Sequence, residues 1–561
     1  MTFPPSSPLD FIGRHRGVIV VLIAAAVVRL ADLSEWWLNP DEGIYYSILT
    51  RADFSGFWQE VTANAHPPLY YLLLRGLGVF TWDFFWLRVF SVVCGLAAVL
   101  GVWAVARRLG GDGSRGAVAG LVAGVVLAFA PGPIELSQVM RPYMLQLALL
   151  AWALYHLLGY RRSASGLELV SYVTLATLAL LVHYSSVLAL AVFGLLVLTD
   201  GMEARFASLS WRRLMVAHAV PATVVLGLYF FHLRPLAASA LADDALDGWL
   251  SFYMIGSPPE AWFSFLGFQH LLAGPWLRGP MALALLVAIG AAVWTRETGV
   301  AVLAGGALLV AVLAAGLGLY PFGSTRHSVW LLAFTVPTMG WLAANLLDAR
   351  PGRRAIQVGL PLLLIGLGGP VGTVMGLARA PWSPSDRVLR QDDLGSMVDV
   401  LDPAAGPQPI FMSAQTFYLL MPFYALEREQ AVFSPDSTVF RFDYGARTVL
   451  VGVAWDFTLA TTNESPDQLD PPLADGPRAG PRGAGSGDLA SVLRSASSAF
   501  PALDPKRHER GLILVGGWRP AFVDELQMLA GRAPILSSRR SVPGLYAFVI
   551  DGPALAASLG L

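Results

Sequence analysis

The sequence has few charged residues and almost no cysteine, and each shortage excludes a class of protein. Only 14% of its 561 residues are charged, whereas a soluble domain has about 25%. The single cysteine, Cys94, cannot form a disulfide within the chain. The net charge is −1, so nothing indicates nucleic-acid binding. The hydrophobic fraction of 55% and the mean hydropathy of +0.57 are typical of a polytopic membrane protein.

Apolar segments long enough to cross a bilayer recur through the first two thirds of the chain. A spanning helix needs about 20 mostly apolar residues, and we predict about eleven such spans. The N-terminus resembles the start of a signal peptide, but no small-residue cleavage site follows, so the first span is expected to remain uncleaved. The predicted spans are residues 17–34, 84–106, 115–133, 140–159, 167–182, 185–200, 214–233, 280–295, 299–320, 328–347 and 355–378.

Arginine distribution predicts the orientation of these spans, because cytoplasmic turns collect positive charge. With the N-terminus inside, every predicted inner turn carries at least one arginine, and the C-terminus lies outside. The transmembrane domain would cover residues 1–380, with a first external loop at 35–83 and a second at 234–278. This orientation favours a multi-pass protein of a bacterial inner membrane, with its large loops facing the periplasm. The arginines of the inner turns are Arg14, Arg16, Arg107, Arg108, Arg115, Arg161, Arg162, Arg205, Arg212, Arg213, Arg296, Arg350, Arg353 and Arg354.

The tail, residues 381–561, changes character and predicts a small extracytoplasmic α/β domain. Strand-like apolar runs alternate with helix-like runs. A segment at 463–487 is rich in Pro, Gly and Asp and is predicted to be a mobile loop. The strand-like runs are 409–414, 448–455, 511–518 and 545–550, and the helix-like runs are 488–496 and 521–529.

Two adjacent acids, Asp41 and Glu42, directly follow the first span. The preceding Asn39–Pro40 makes this a good helix start, with acids in the first turn, so the pair can be purely structural. The predicted helix would also bring Tyr45 close to the carboxylates. A carboxylate at this place can equally serve as a general base, and both interpretations stay open.

Five arginines occur where the predicted spans meet the outer surface. An ionised side chain near a span end usually has a partner or a ligand, although reaching out to lipid headgroups is the alternative for each. The guanidinium fork matches phosphate oxygens. Arginines and a carboxylate pair at one membrane surface suit a substrate composed of a phosphate, a sugar and a lipid tail. The arginines are Arg29, Arg75, Arg88, Arg141 and Arg326.

Residues 10–380 resemble the C-type (GT-C) glycosyltransferases, which use polyprenyl-phosphate-linked sugars. The similarity rests on the first-loop Asp–Glu, HPPLYYLLL from His66, SQVMRPYMLQLALL at 137–150 and GSTRHSVWLLAFTVP at 323–337. Within these enzymes the chain is most similar to the protein mannosyltransferase-like group, which includes the lipid A aminoarabinose transferases. The resemblance implies an inverting hexosyl- or pentosyltransferase with a polyprenyl-phosphate donor and a lipid, glycan or protein acceptor.

The resemblance also implies roles for individual residues. Asp41 would be the base on the acceptor hydroxyl, with Glu42 assisting or positioning the acceptor. Arg141, Tyr143 and Arg326 would contact the donor phosphate. Relatives have a lysine before the Pro–Pro pair, where this chain has His66. Many relatives read Ser–Gln–Glu–Ala–Arg–x–Tyr where this chain has SQVMRPY from Ser137, so that glutamate is absent here and Glu135 is the candidate replacement.

Several smaller features remain as candidates. Arg75 is a further phosphate contact, and Tyr45, Glu135, His183 and His327 are candidate cavity residues. No Cys/His metal spacing occurs, although two adjacent acids can hold Mg²⁺ or Mn²⁺. The aromatic-rich loop at 234–278 favours an interfacial helix. A transporter or flippase of lipid-linked substrates and a non-catalytic scaffold of the same fold are the alternative functions.

Overall fold

The computed structural model describes residues 8–203, 211–237, 250–348, 389–397, 408–453, 456–458, 486–516 and 520–561. These residues belong to two units. We call Met1–Leu33, Thr62–Ala238 and Tyr253–Ser383 the helical unit. Ser34–Val61, Ser239–Phe252 and Pro384–Leu561 form the sheet unit. The sequence-based boundary at residue 380 stays a prediction, and no sequence pattern assigned 34–61 to the C-terminal unit.

The first half of the chain is helical throughout. Its helices are α1 (Pro8–Leu30), α2 (Pro40–Leu49), α3 (Phe54–Ala63), α4 (Leu69–Gly78), α5 (Phe84–Gly110), α6 (Ser114–Ala128), α7 (Pro131–Ser137), α8 (Tyr143–Ser163), α9 (Gly166–Val182), α10 (Ser186–Glu203) and α11 (Trp211–Leu228). The rest of the helical unit contains a π-helical turn (Tyr229–Leu233), α12 (Arg234–Ala237), α13 (Pro258–Trp294), α14 (Thr298–Ala301), a second π turn (Val302–Gly306), α15 (Ala307–Gly316), a 3₁₀ turn (Arg326–Leu331) and α16 (Leu332–Asp348).

Six helical stretches within the described residues are long and apolar enough to cross a membrane. The chain is therefore a multi-pass membrane protein. A seventh span results if α6 and α7 cross together. Two shorter apolar helices, Gly166–Val182 and Ser186–Thr199, match predicted spans, whereas the predicted span at 355–378 lies outside the described residues. The six stretches are Phe84–Gly110, Tyr143–Ser163, Val216–Leu236, Pro258–Trp294, Thr298–Gly316 and Arg326–Leu346.

Two predicted spans differ in shape from the structure. The predicted span 115–133 is broken, because α6 and α7 meet at a bend of 63°. A proline at the first position of α7 favours a new helix start there. The predicted span 280–295 is the second half of a longer helix, Pro258–Trp294, which kinks at Gly274 where φ is 68°. The second half of the predicted 234–278 loop is thus helical.

Small residues allow the helices of this unit to approach closely, as is common in membranes. A Cβ at Gly340 of α16 would lie 2.4 Å from the carbonyl oxygen of Ala119 on α6. A Cβ at Gly101 of α5 would lie 3.0 Å from that of Ala151 on α8. The tight packing of α5, α6, α8 and α16 builds the rigid core from which the connecting segments project.

The sheet unit contains a seven-stranded mixed sheet of order β2-β3-β4-β1-β7-β9-β8. The central strand β1 is parallel to β4 and β7, and Ile410 lies between Val449 and Leu512. The other pairs are antiparallel. The strands are β1 (Ile410–Ser413), β2 (Val432–Phe433), β3 (Val439–Tyr444), β4 (Arg447–Gly452), β5 (Asp456–Thr458), β6 (Ser486–Asp488), β7 (Gly511–Gly516), β8 (Leu536–Val542) and β9 (Leu545–Ile550), with β5 and β6 forming a separate pair.

The predicted elements of this unit are confirmed. All four apolar runs are strands, namely β1, β4, β7 and β9. Both helix-like runs are helices, and of the predicted loop at 463–487 the described part is β6. The structure adds β3 and β8, which apolar runs did not predict because their sequences contain Arg, Asp and Ser residues. The helices are α17 (Gln391–Gly395), α18 (Ala414–Leu419), α19 (Met421–Tyr424), α20 (Leu489–Ala499), α21 (Pro520–Arg532) and α22 (Gly552–Ser558), with 3₁₀ turns at Glu427–Gln430, Pro501–Leu503 and Pro505–Arg507.

Candidate functional site

The predicted site residues divide between the two units. Asp41, Glu42 and Tyr45 lie on α2 in the sheet unit. The predicted phosphate and cavity residues lie in the helical unit: His66, Arg75, Glu135, Arg141, Tyr143, His183, Arg326 and His327. Convergence of the two groups on a single pocket stays a prediction.

Helix α2 begins with the capping box that the sequence indicates. The side chain of Asn39 accepts a hydrogen bond from the backbone N–H of Glu42 at 2.9 Å, and the Glu42 carboxylate accepts one from the N–H of Asn39 at 3.2 Å. Glu42 is fully buried, whereas Asp41 is half-buried. The structural interpretation of the acid pair is therefore confirmed for Glu42, and Asp41 is the more accessible of the two carboxylates.

The segment that carries these acids is bound to C-terminal residues of the same unit. The backbone N–H of Trp37 donates to the carbonyl of Leu389 at 2.9 Å, and its indole N–H donates to the carbonyl of Leu419 at 2.8 Å. A Cβ at Gly43 would lie 1.8 Å from the carbonyl oxygen of Tyr418, so α2 and α18 are in backbone contact. Only glycine fits this position of α2.

Charged side chains reinforce this attachment. The Glu60 carboxylate accepts a hydrogen bond from the Arg51 Nε at 3.0 Å and lies 2.9 Å from a guanidinium nitrogen of Arg428. Arg428 also donates to the hydroxyl of Ser47 on α2. The backbone N–H of Ala52 donates to the carboxylate of Glu429 at 2.6 Å. The orientation of the acid-bearing helix is consequently determined by the C-terminal unit.

In the helical unit, residues from four connecting segments meet in what we call the histidine–arginine cluster. The segments precede α4, lie between α7 and α8, lie between α9 and α10, and precede α16. The ring of His183 lies 5.0 Å from His66, 5.2 Å from Tyr143 and 6.2 Å from His327. The cluster consists of His66, Arg141, Tyr143, His183, Tyr320, Arg326 and His327.

Local sequence explains why these side chains stand at helix ends. Pro142 is the N-cap of α8 and disfavours a helical conformation at Arg141, so the arginine lies in a turn with its N–H bonded to the Val139 carbonyl at 2.9 Å. Pro68 likewise caps α4, close to His66. The hydroxyl of Thr325 accepts from the N–H of His327 at the start of the 3₁₀ turn.

The positive charges of the cluster belong to Arg141 and Arg326, because His66 and His183 are neutral. Burial, followed by the charges of Arg141 and Arg326, lowers the pKa of His183 from 6.5 to about 3. Burial first, and then neighbouring His183 and Arg141, hold the pKa of His66 well below its ordinary value. His66, at the place where relatives have lysine, therefore adds no positive charge.

Further contacts order the cluster. The Arg141 guanidinium carbon lies 5.7 Å from the centroid of the Tyr143 ring. The Tyr320 hydroxyl lies 3.1 Å from Nδ1 of His327. The hydroxyl of Tyr143 is buried and has no hydrogen-bond partner among the described residues. The cluster thus combines two cations, neutral imidazoles and two phenols, which can all donate hydrogen bonds to an anion.

The other outer arginines have different surroundings. Arg29 is fully buried and donates to the carbonyls of Ala128 at 2.6 Å and Leu127 at 3.1 Å, at the bend between α6 and α7. It satisfies carbonyls that a helix end leaves without intrahelical partners. Arg88 donates to the carbonyl of Leu33 at 3.3 Å. Arg75 is half-buried in the last turn of α4.

Sequence analysis missed the polar residues that support the cluster. Gln146, on α8, is buried and donates to the hydroxyls of Ser185 and Ser186. A glutamine within an apolar span is itself a signal, because polar groups inside membranes are usually functional or paired. Glu135 lies half-buried on α7. The described residues contain no group of three or more His, Cys, Asp or Glu side chains arranged to hold a metal ion.

No protein-family model and no curated protein matches the sequence significantly. The structure is similar to ArnT from Cupriavidus metallidurans in the apo state, with a TM-score of 0.51 and 15% identity, over 96% of this chain and 98% of that one. It is also similar to the same ArnT bound to undecaprenyl phosphate, with a TM-score of 0.50 and 15% identity, over 95% and 98% of the chains.

The archaeal oligosaccharyltransferase AglB from Archaeoglobus fulgidus has a TM-score of 0.42 and 12% identity, over 71% of this chain and 62% of that one, which is too weak to indicate a fold. At 15% identity the ArnT structures establish the fold and nothing finer. The GT-C fold that the sequence resemblance implies is thereby confirmed for this chain.

Proposed function

We propose that this chain is a membrane glycosyltransferase that moves a sugar from a polyprenyl-phosphate donor to an acceptor hydroxyl. The observation that supports this most is the histidine–arginine cluster. Its imidazoles are buried and neutral, and the positive charges of Arg141 and Arg326 lie close enough to lower their pKa. Two guanidinium groups among neutral donors suit a phosphate, since arginine binds phosphate oxygens through paired donors. The similarly folded ArnT is bound to undecaprenyl phosphate.

In the proposed reaction, Asp41 removes the proton of the acceptor hydroxyl. The acceptor oxygen attacks the anomeric carbon from the face opposite the phosphate, and the bond between that carbon and the phosphate oxygen breaks. Polyprenyl phosphate leaves, and the configuration inverts. Arg141, Arg326 and Tyr143 hold the phosphate, with His66 and Arg75 as further contacts. Glu42 completes the capping box of α2 and thereby positions Asp41. Tyr45, Glu135, His183 and His327 stay candidate cavity residues.

The proposal includes a location and an orientation. With about eleven spans and the N-terminus inside, the sheet unit and the cluster face the periplasm of a bacterial inner membrane. The donor sugar is a hexose or a pentose, and the acceptor is a lipid, glycan or protein. Both metal-free catalysis and use of Mg²⁺ or Mn²⁺ at Asp41 are compatible with this chemistry.

Asp41→Asn is the direct test, with Asp53→Asn as the matched control. Asp53 lies in the same loop, and its carboxylate accepts the N–H of Gly56 at 2.6 Å, a contact that asparagine keeps. The assay measures release of polyprenyl phosphate from synthetic polyprenyl-phosphate hexose and pentose, with cell-envelope extract as the acceptor source. Removing a general base costs about 100-fold or more in rate, and Asp53→Asn should match the wild type.

Three results would contradict parts of the proposal. Wild-type rates for Asp41→Asn would exclude Asp41 as the base. An inactive wild type that still binds undecaprenyl phosphate would favour the flippase or the scaffold. Equal binding of undecaprenyl phosphate and undecaprenol by the wild type would exclude the donor class altogether.

A further inference from the structure

A buried chain of hydrogen bonds in the helical unit ends on His183. The side-chain amide of Gln146 donates to the hydroxyl of Ser185 at 2.7 Å and to that of Ser186 at 3.0 Å. The Ser185 hydroxyl lies 2.9 Å from Nδ1 of His183, and the Ser185 backbone N–H donates to the same nitrogen at 3.2 Å. All four residues are buried.

These contacts determine which ring nitrogen of His183 carries the proton. A backbone N–H can only donate, so Nδ1 of His183 must be an acceptor and hold no proton. This conclusion does not depend on how the Gln146 amide is turned. A neutral imidazole has its single proton on the other nitrogen, and the lowered pKa of His183 keeps the ring neutral. The proton therefore lies on Nε2.

Nε2 of His183 has no hydrogen-bond acceptor within the described parts of the chain, although it is buried. Leaving a buried donor without an acceptor costs about 1–3 kcal/mol, so this group is suited to donate to a ligand. The ring lies within the histidine–arginine cluster, 5.0 Å from His66 and 5.2 Å from Tyr143. The Tyr143 hydroxyl is a second buried group of the cluster that has no hydrogen-bond partner among the described residues.

We propose that His183 binds the phosphate group as a neutral donor through Nε2–H. Ser185 and Gln146 are positioning residues: the Ser185 backbone N–H fixes the tautomer of His183, and the Ser185 hydroxyl, held by Gln146, fixes its ring orientation. The ligand assignment rests on the proposed function. During transfer the proton stays on Nε2, and the hydrogen bond strengthens as negative charge develops on the departing phosphate oxygen. His183 thus stabilises the leaving group without acting as an acid.

Two substitutions separate this role from simple packing. In His183→Gln the side-chain amide nitrogen can take the place of Nε2 and donate to the phosphate. In His183→Asn the shorter side chain places its amide near the position of Nδ1, towards Ser185. We expect His183→Gln to bind undecaprenyl phosphate within about 3-fold of the wild type, and His183→Asn to bind at least about 10-fold more weakly, as for loss of a hydrogen bond to a charged group. Equal binding by His183→Asn and the wild type would overturn the proposal.

Nitrogen-15 NMR of histidine-labelled protein reads the tautomer directly. The His183 signals are those that disappear in His183→Gln. We expect Nε2 to carry the proton in the wild type and to shift when undecaprenyl phosphate is added. In Ser185→Ala the backbone N–H remains, so the tautomer should persist while binding weakens about 5-fold, as for one lost neutral hydrogen bond. A proton on Nδ1 in the wild type would contradict the proposal.

Three probes keep this inference separate from the proposed function: undecaprenyl phosphate, undecaprenol and inorganic phosphate. If the wild type prefers undecaprenyl phosphate but His183→Asn binds it equally well, the inference fails and the donor assignment stands. If the wild type binds undecaprenyl phosphate no better than undecaprenol, the donor assignment fails. A preference for inorganic phosphate would assign the Nε2–H donor to a free anion and overturn the link to the lipid.

Discussion

The charged residues of the first-loop segment in the sheet unit and those of the histidine–arginine cluster in the helical unit have different surroundings. In the sheet unit the acids have definite partners, since Glu42 caps α2 and Glu60 pairs with Arg51 and Arg428. In the histidine–arginine cluster, burial and the positive charges of Arg141 and Arg326 lower the pKa of His183, so this histidine is neutral. Ion pairs and caps fix a backbone, whereas cations among neutral donors favour an anionic ligand. On this basis we propose that the sheet unit positions the candidate base and that the helical unit binds the donor phosphate.

The largest effect is expected for Arg141→Ala. Loss of a buried cation that binds phosphate should weaken undecaprenyl phosphate binding about 100-fold, or ~3 kcal/mol. The matched control is Arg428→Ala in the sheet unit, whose partner is Glu60. It should lower the thermal midpoint and leave phosphate binding unchanged. Isothermal titration in detergent measures both affinities. Equal losses in the two variants would remove the distinction between the units.

Gly43→Ala should come next in size, and it acts on the sheet unit. The added Cβ would lie 1.8 Å from the Tyr418 carbonyl oxygen, so α2 or α18 must move, at a cost of about 1–3 kcal/mol in the free energy of unfolding. Sugar transfer should fall while undecaprenyl phosphate binding persists. Gly395→Ala is the control, because nothing lies within 4 Å of its Cβ position. An unchanged midpoint for Gly43→Ala would contradict the observed α2–α18 contact.

The neutral histidines of the helical unit predict that the free energy of unfolding depends on pH. The pKa of folded His183 is about 3, below its ordinary 6.5, so the unfolded chain binds the proton more readily between these values. The free energy of unfolding should therefore fall as pH falls from 6.5, by at most about 2 kcal/mol per histidine at pH 5.

The contribution of His183 to this loss of stability can be measured from the thermal midpoints of the wild type and His183→Gln at pH 7 and pH 5. The variant should lose less stability on acidification than the wild type, because it lacks one of the groups. Identical shifts in the two proteins would mean that His183 is charged in the folded protein.

The smallest effect compares two ion pairs within the sheet unit. Glu60→Gln removes the carboxylate shared by Arg51 and Arg428, whose side chains are 22% and 17% exposed. We expect a loss of roughly 1–2 kcal/mol in the free energy of unfolding. Glu35→Gln breaks a pair with Arg390 that is about half exposed, and it should cost under ~0.5 kcal/mol. Equal midpoints for both variants would show that Glu60 does not help to hold the first-loop segment.

Much of the fold could be predicted from local patterns. Apolar length indicated α5, α8, α9 and α10 within a few residues, and apolar runs bounded by Pro and Gly indicated β1, β4, β7 and β9. The bend between α6 and α7 was missed because both helices are apolar and only their packing separates them. Strands β3 and β8 were missed because polar residues interrupt their apolar pattern. Pairing with neighbouring strands places them in the sheet.

The candidate site was predictable in its residue types but not in its arrangement. The motifs indicated His66, Arg141, Tyr143 and Arg326, and the structure brings them together in one cluster at the starts of three different helices, α4, α8 and α16. They did not distinguish Arg29, which binds carbonyls at a helix bend, from Arg141. The partners of Arg29 lie about 100 residues away in sequence, and no local pattern encodes that contact.

The sequence by itself determined that the chain crosses a membrane repeatedly, that a small α/β unit follows, and that a helix with acids in its first turn starts after the first span. These properties depend on apolar length, strand pattern and cap residues, which act over a few positions. Only the tertiary structure decided that Gln146 contacts Ser185, that the Ser185 N–H donates to Nδ1 of His183, and that α2 rests on α18. Hydrogen bonds and backbone contacts of this kind join distant segments, so they exist only after the helices have packed.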